Sequence, residues 1–493
     1  MTYSMNLKDI LALVSVLDSN VDDVADVSVT DLVLDSRKAG NGSLFFAYPG
    51  VAQDGRDYLE AAQASGAAVI IYEAGIELAP SITVPAFAVA DVQSHVGRIA
   101  NEFYGQPSSE MQVFGVTGTN GKTSCCYLLT QALEMHGLKA AMIGTIGVGT
   151  LSTLDASGHT TPDPITLHKL LADFRDQEIT QVCMEVSSHA LDQGRVNGVQ
   201  FFCTLFTNLS HDHLDYHGDM GSYAASKRRL FTEFHSELVI TNANDNMGIG
   251  LIDIANADFI VRYGVGGDVL ADDVELTADG ISLVIEGNGV EFELSTPLVG
   301  KVNVPNIELV VATLLALSSS VEDIQTIASQ LKPAPGRMEL LTADDKATVV
   351  VDFAHTPDAL DKALESVKEH CRGKLWCVFG CGGDRDQDKR PLMGQVAAKT
   401  ADYVVITNDN PRSESPESIA KAIKAGATDD AEIILDRAQA IKSCIEKASA
   451  DDWIVVAGKG HETTQTICGD VFNFSDREQV LQALGLTTSE VAK

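Results

Sequence analysis

None of the nine cysteines is spaced as a C-x-x-C pair, and no spacing among them resembles a metal-ligand set; Cys125 and Cys126 are adjacent. A zinc ribbon or a disulfide framework is therefore excluded, and a reduced, cytoplasmic protein is expected. No uncharged apolar run reaches the roughly 18 residues of a membrane-spanning helix. The start, "MTYSMNLKDILALVSVLDSNVDD", has Lys8 and Asp9 within its apolar stretch and no basic leading region, so it is not expected to be a secretion signal. Cations are scarce, with 35 Lys plus Arg against 69 Asp plus Glu and a net charge of −34. Such a surface repels phosphate backbones and anionic lipids, which disfavours nucleic-acid and membrane-surface roles. Any anionic substrate must be met by locally clustered basic side chains.

There is no internal repeat and no low-complexity tract. At 493 residues the chain is too long for one ordinary core, and about three domains are expected. Residues 1–91 hold short strands and turns ending in "AAVIIYE" and "AFAVAD", a small α/β unit. From 92 to 337, strand-like runs such as "AAMIGTIG", "ITQVCMEVS", "FFCTLFTNL" and "SELVITNAND" alternate with helical lengths, as in a parallel sheet. Within that block "VELTADGISLVIEGNGVEFELS" alternates apolar and polar residues around DG and NG, the signature of inserted hairpins. After "LKPAPGRMEL", residues 338–493 bring "ATVVVDFAH", "KLWCVFGCGG", "ADYVVITND", "AEIILD" and "DWIVVAGKG", a second doubly wound sheet. The fold class is α/β throughout.

"GVTGTNGKTS" (115–124) lies between a strand-like "MQVFGV" and the helix-like "KTSCCYLLTQALEMHG". Strand, glycine-rich loop and helix form a phosphate cradle: Gly118 and Gly121 free backbone N–H groups to face an anion, Lys122 adds charge, and the Thr123 hydroxyl suits Mg²⁺. The general signature has a Gly where this chain has Val116, and the alternative is an ordinary glycine-rich turn. Past two later strands come "MEVSSHAL" and "TNLSHDHLDYHG". From these, Glu185 and His213 are the candidate ligands, because a nucleotide's Mg²⁺ takes oxygen or imidazole donors from outside the loop. Lys227, in "SKRR", reads on its own as a solvated helix lysine.

"GVTGTNGKTS", "TTPD", "MEVSSHAL", "TNLSHDHLDYH", "YAASKRRLF", "PGRME", "VDFAHTPDAL", "GCGGDRDQDKRPLM", "NDNPRSESP" and "AGKGHE" follow one another as in the Mur ligases, and the chain resembles that family over its whole length. The resemblance implies three domains: a uridine-nucleotide-binding domain at 1–91, a central phosphate-loop ATPase at 92–337, and a Rossmann-like amino-acid-binding domain at 338–493. It is nearest to the ligases that add a third residue to UDP-N-acetylmuramoyl-L-alanyl-D-glutamate. These phosphorylate the D-glutamate side-chain carboxylate with ATP, and the incoming amine then attacks the acyl phosphate. By motif match, Gly118, Thr119, Asn120, Gly121, Lys122, Thr123, Ser124, Asn306, Arg337 and Asp352 would bind ATP. Thr123, Glu185, His213 and a carbamylated Lys227 would hold Mg²⁺, with Lys122, Glu185, His213 and Lys227 the catalytic set.

The UDP-substrate positions are Leu34, Ser36, Thr160, Thr161, Ser187, Gln193 and Arg195. For the amino acid they are Arg390, Asp409, Asn410, Pro411, Arg412, Gly458 and Glu462. In such ligases the Arg of D-N-P-R marks users of meso-diaminopimelate, with L-lysine the alternative substrate. Val302 and Pro305 depart from the family's pattern, and Val51-Ala52-Gln53 replaces a more polar triplet that would contact uridine. A monomer acting on small molecules is implied. Other classes consistent with single motifs are a phosphate-loop NTPase doing conformational work, a non-catalytic binding module, and folylpolyglutamate synthase. The first leaves "GKGHE" unexplained, intact Lys122, Glu185, His213 and Lys227 speak against the second, and the third lacks "LDSR" and "DNPR".

Overall fold

The computed structural model describes residues 3–17, 26–51, 53–156, 158–277 and 280–487. Its contacts divide the chain into two compact units. The first comprises Met1–Thr119, Gly137–Val239 and Gly250–Ile260, and the second Asn120–His136, Ile240–Ile249 and Val261–Lys493. Among the described residues no helix is long and apolar enough to cross a membrane.

In the first unit the strands Asp31–Val33, Ser43–Ala47, Val69–Glu73 and Ala86–Val89 form a fully parallel sheet. Parallel strands buried on both faces need near-continuous apolar runs, and "SLFFA" and "VIIYE" supply them. The helix Val92–Phe103 turns its apolar stripe (Val92, Val96, Ile99, Phe103) into the same core, which also takes in Ile165 and Ala172 of the helix Pro164–Asp176. Close approach requires Gly97: a Cβ there would stand 2.3 Å from the Asn197 carbonyl oxygen.

A larger parallel set follows, in the order Cys203–Phe206, Gln112–Thr117, Gln181–Glu185 and Ala140–Gly144, with Gly147–Gly149 antiparallel at its edge. These strands match "FFCTLFTNL", "MQVFGV", "ITQVCMEVS" and "AAMIGTIG". Their parallel register brings the carboxyl ends of Gln112–Thr117, Gln181–Glu185 and Cys203–Phe206 side by side, where open α/β sheets bind ligands.

The second unit holds the expected hairpins, Val269–Thr277 with Gly280–Gly287 and Gly280–Gly287 with Val290–Thr296. Asn288 and Gly289 turn the second one with φ of 51° and 74°, the two positive values that a tight hairpin turn needs. Asp279, of the DG signal for the first, lies outside the described residues, as does Ala52 of the 51–53 triplet.

A six-stranded sheet completes this unit in the order Glu339–Leu341, Thr348–Asp352, Trp453–Ala457, Leu375–Phe379, Tyr403–Ile406 and Glu432–Ile433, all parallel except the first. Alternate residues supply two separate cores. Val350, Cys377, Phe379 and Val455 face one side, while Val349, Val351, Val378 and Val456 face the other.

At its carboxyl edge Arg437 and Asp476 form a fully buried ion pair through two bonds, Nε to Oδ1 at 2.6 Å and Nη2 to Oδ2 at 2.7 Å. Arg437 also donates to the carbonyls of Asn408 (3.1 Å) and Ala457 (2.8 Å). Breaking a buried pair on one side leaves an uncompensated charge, so Arg437→Met is expected to cost about 3–5 kcal/mol. Removing both charges in Arg437→Met/Asp476→Leu should recover most of that loss. Thermal unfolding midpoints of the three proteins test this; a single variant as stable as the parent refutes it.

Candidate active site

The strand Gln112–Thr117 delivers the chain into Gly118, whose φ is 151° and where a Cβ would lie 1.9 Å from Thr207 Oγ1. No other residue type fits that approach. Thr119 follows, with its N–H on the Asn208 carbonyl at 2.7 Å. The Thr119 hydroxyl accepts from the Ser210 N–H (3.0 Å) and shares a hydrogen bond with the Tyr223 hydroxyl (3.1 Å). Tyr223 and Lys227 lie one turn apart on the helix Met220–Thr232, both buried, with the Lys227 ammonium 4.5 Å from the Tyr223 ring centroid. The same ammonium donates to the Gly118 carbonyl at 2.7 Å. Lys227 is thus a buried residue turned to the phosphate loop, and the solvated-lysine reading is overturned.

Glu185 ends its strand with a buried carboxylate. Its Oε1 accepts from the Thr145 N–H at 2.7 Å and its Oε2 from the Thr145 hydroxyl at 3.2 Å. Thr145 in turn shares a hydrogen bond with Thr160 (2.9 Å), and the Thr161 hydroxyl donates to the Glu185 carbonyl (2.9 Å). Ser187 lies within 3.3 Å of that hydroxyl and caps the helix Ser188–Asp192. Arg195 closes the network, donating to the Thr161 carbonyl at 2.9 Å and to Gln193 Oε1 at 2.6 Å.

Five of the seven UDP-substrate candidates therefore form one hydrogen-bonded set with Glu185. Leu34 and Ser36 instead follow the strand Asp31–Val33, Leu34 packed on the core beneath that sheet and Ser36 opening the turn that Asp35 caps. Tyr48, unnoticed in "FFAYPG", faces Arg195 and Asp163; burial first, then Asp163, push its hydroxyl up to about 12, against the pull of Arg195.

His213 has the left-handed φ of 53° and lies 3.5 Å from Asp212. Its ring meets that of His189 edge-on at 4.9 Å, and His189 also contacts Tyr216 and His217. Among the described residues no three His, Cys, Asp or Glu side chains gather as metal ligands. The donor chemistry still suits Mg²⁺, a hard cation that takes one or two protein oxygens and keeps water, and the oriented Glu185 carboxylate has the chemistry of such a donor.

In the second unit Asn120 and Gly121 lead into the helix Lys122–Met135, with Gly121 at φ 85° as its first cap and Thr123 in its first turn. Ser124 follows it there. The Arg337 guanidinium reaches Thr123 Oγ1 at 3.5 Å and lies over the Phe353 ring at 4.3 Å. Asn306 is buried, accepting from the Cys125 thiol (3.2 Å) and donating to Asn303 (2.9 Å). The intact Asn303–Asn306 pair persists beside Val302 and Pro305. Asp352 accepts from the N–H groups of Met338 and Ala354, both at 2.8 Å; burial pushes its carboxyl up and Arg337 pulls it down.

Beyond the six-stranded sheet, Asp409, Asn410 and Pro411 are buried, and Arg412 takes φ 52°. The hairpin Thr464–Ile467/Asp470–Asn473 pins that conformation: Arg412 N–H donates to Thr466 O and its carbonyl accepts from Cys468 N–H. A non-glycine residue held in this region marks a position the surrounding structure over-determines. The Arg412 guanidinium donates to the Gly383 carbonyl at 2.7 Å. Asn410 Nδ2 donates to Glu462 Oε2 at 2.8 Å, and Gly458, with φ 115°, allows the Asp409 carboxylate to lie against it. Arg390 is bound by Glu414 through two bonds of 3.0 and 2.8 Å. Sequence reasoning missed Lys459, which is buried inside "AGKGHE" and bonded to both Glu462 and Asn410. It also missed Tyr223, whose spacing of four from Lys227 on a helix was the available signal.

Three family profiles match the chain: "Mur ligase family, catalytic domain" at residues 28–104, "Mur ligase middle domain" at 116–314, and "Mur ligase, glutamate ligase domain" at 336–460. The UDP-N-acetylmuramoyl-L-alanyl-D-glutamate--2,6-diaminopimelate ligase of Coxiella burnetii is 44% identical over 93% of this chain and 96% of its own. The Vibrio vulnificus ligase of the same name is 41% identical over 99% and 100%. A solved structure carrying that name superposes with a TM-score of 0.71 at 34% identity, covering 98% of this chain and 99% of the other.

Burial, and then the neighbouring His213 and His217, hold His189 down to about 4. A depressed imidazole is neutral above that value, so His189 should carry no charge from pH 5 to 8. An NMR titration is expected to show its ring protons moving only near pH 4; a midpoint above 6 contradicts this packing.

Proposed function

The chain belongs to the Mur ligase family, and on that premise we propose that it joins meso-2,6-diaminopimelate to UDP-N-acetylmuramoyl-L-alanyl-D-glutamate, using ATP, in peptidoglycan precursor synthesis. The observation that carries the choice of amino acid is the Asp409–Arg412 loop, in which Arg412 and Glu462 are linked through the Thr466 backbone and the Asn410 side chain. Diaminopimelate is lysine with a second carboxylate at its far carbon. A guanidinium and a carboxylate on one framework match the zwitterion at that carbon, whereas lysine offers only its ammonium.

The reaction is the family's. The D-glutamate side-chain carboxylate attacks the γ-phosphorus of ATP, giving an acyl phosphate and ADP. The diaminopimelate amine then attacks the acyl carbon, forming the C–N bond and releasing phosphate and a proton. Mg²⁺, when bound, neutralises charge on the phosphoryl oxygens. The N-terminus of the helix Lys122–Met135, with Gly118, Thr119, Asn120, Gly121 and Ser124 in its loop, would cradle the nucleotide phosphates, and Lys122 and Arg337 would meet their charge. Asn306 and Asp352 would address adenine and ribose.

Thr123, Glu185, His213 and Lys227 would hold the ion, Lys227 as its carbamate, since an ammonium cannot ligate a cation. Its burial beside Gly118 supports that role. The Thr160, Thr161, Ser187, Gln193 and Arg195 network, with Leu34 and Ser36, would take the UDP substrate. Domains at 1–91, 92–337 and 338–493, working as one cytoplasmic monomer, complete the reading.

Phosphate release from ATP in the presence of the UDP-muramoyl dipeptide tests it. Meso-diaminopimelate should drive turnover, and L-lysine should be disfavoured by up to ~10⁴-fold, the scale set by unmatched buried polar groups. Arg412→Ala should cut kcat/KM for meso-diaminopimelate at least ~100-fold, as expected for a lost charged pair of about 3 kcal/mol. Equal use of L-lysine by the parent enzyme would falsify the assignment.

Lys227→Ala should abolish turnover far more than it weakens ATP binding, with partial rescue by acetate or formate. The carboxylate would occupy the vacated oxygen position. Parent-like turnover in that variant, measured by the same phosphate assay, rules the carbamate out.

A further inference from the structure

The buried cation of the amino-acid pocket has no role in the reaction as derived so far. Lys459 is fully buried, in the loop after the strand Trp453–Ala457. Its ammonium lies 2.7 Å from Glu462 Oε2 and 3.2 Å from Asn410 Oδ1. Asn410 turns its other amide atom to the same Glu462 oxygen, at 2.8 Å. Lysine, asparagine and glutamate therefore form a closed triangle, and the Glu462 carboxylate is already paired before any ligand arrives.

The neighbouring charges have other direct partners, although Asp409 and Glu462 also act on Arg437 at longer range. Arg390 is matched by Glu414, Arg437 is matched by Asp476, and Asp409 Oδ1 accepts from the Asn410 N–H at 2.6 Å. Arg412 has a neutral partner, the Gly383 carbonyl. What Lys459 changes is the strength of Glu462 as an anion.

From this geometry we infer that Lys459 is a specificity-determining residue: by pairing Glu462 it prevents that carboxylate from binding a lone ammonium, so that only an amino acid bringing its own carboxylate to Arg412 is held. The inference rests on the assignment of this pocket to the amino-acid substrate. Without Lys459, Glu462 would keep only the longer-range pull of Arg437 and would attract the ε-ammonium of L-lysine more strongly. With Lys459 at 2.7 Å the same oxygen offers little beyond a hydrogen bond. Discrimination here comes from weakening the wrong contact rather than strengthening the right one.

The test compares kcat/KM for meso-diaminopimelate and for L-lysine in the parent enzyme, Lys459→Met, Lys459→Arg and Lys459→Met/Glu462→Gln. In Lys459→Met the ratio of the two should fall at least ~10-fold, with KM for L-lysine decreasing while KM for ATP stays within about 2-fold. Lys459→Arg keeps the charge and should keep the ratio. The double variant leaves no half-buried carboxylate without its cation, which guards against misfolding of the single one, and should return to within about 3-fold of the parent ratio.

A Lys459→Met enzyme that loses both substrates in proportion, or a double variant that discriminates no better than Lys459→Met, overturns the inference. Failure of the parent enzyme to use meso-diaminopimelate would instead overturn the substrate assignment, and that result is read before any variant is made.

Discussion

The candidate amino-acid site depends on one buried guanidinium. Arg437 is neutralised by Asp476 and spends its remaining donors on the carbonyls of Asn408 and Ala457. Those carbonyls stand at the ends of two strands of the six-stranded sheet, immediately before the loops that carry Asp409–Arg412 and Gly458–Glu462. The strands are not adjacent, since Leu375–Phe379 runs between them. A single side chain thus fixes the separation of two loops that must present their residues to one ligand. Its fork supplies donors to both carbonyls and to Asp476 at once, and an unpaired arginine could not be buried there.

The same economy governs the other cations near the candidate sites. In a protein of net charge −34, an exposed arginine or lysine would be screened and surrounded by acids. Here the relevant ones are buried or half-buried and each has a defined partner. Arg195 is held by the Thr161 carbonyl and the Gln193 amide oxygen, Arg412 by the Gly383 carbonyl, and Lys227 by the Gly118 carbonyl. Carbonyl acceptors orient Arg195 and Arg412 while leaving their guanidinium faces suited to carboxylates or phosphates, whereas the Gly118 contact fixes where the Lys227 side chain ends. Arg390 and Lys459, by contrast, are paired with glutamates and act by shaping what surrounds them.

Aromatic rings do comparable positioning work. Phe353 underlies the Arg337 guanidinium, and Tyr223 contacts both the Thr119 hydroxyl and the Lys227 ammonium. The His189, His213, Tyr216 and His217 rings pack against one another, and burial with the neighbouring imidazoles holds His189 down to about 4. Rings supply bulk that excludes water while leaving a polar edge available, and this combination suits a site that handles a water-sensitive acyl phosphate.

Much of this was legible in the residues alone. Apolar runs of strand length gave the parallel sheets, because a strand buried on both faces must be apolar throughout, and Asn288-Gly289 gave its hairpin, because only such residues accept two positive φ values in succession. The loop at 115–124 stood out by its place between strand and helix, whereas D-N-P-R drew notice only through the resemblance to the Mur ligases. What the sequence did not contain was the partner of each charge. Lys227 read as a solvated lysine until the fold placed Gly118 against it across 109 positions of chain. Lys459 and Glu462 are three residues apart, yet Asn410, which completes their triangle, comes from another strand end. Periodicity and composition determine which elements form, since these are local and additive. Which ion is paired, which is spare and which is silenced depends on distances between segments remote in sequence, and only the tertiary structure decides those.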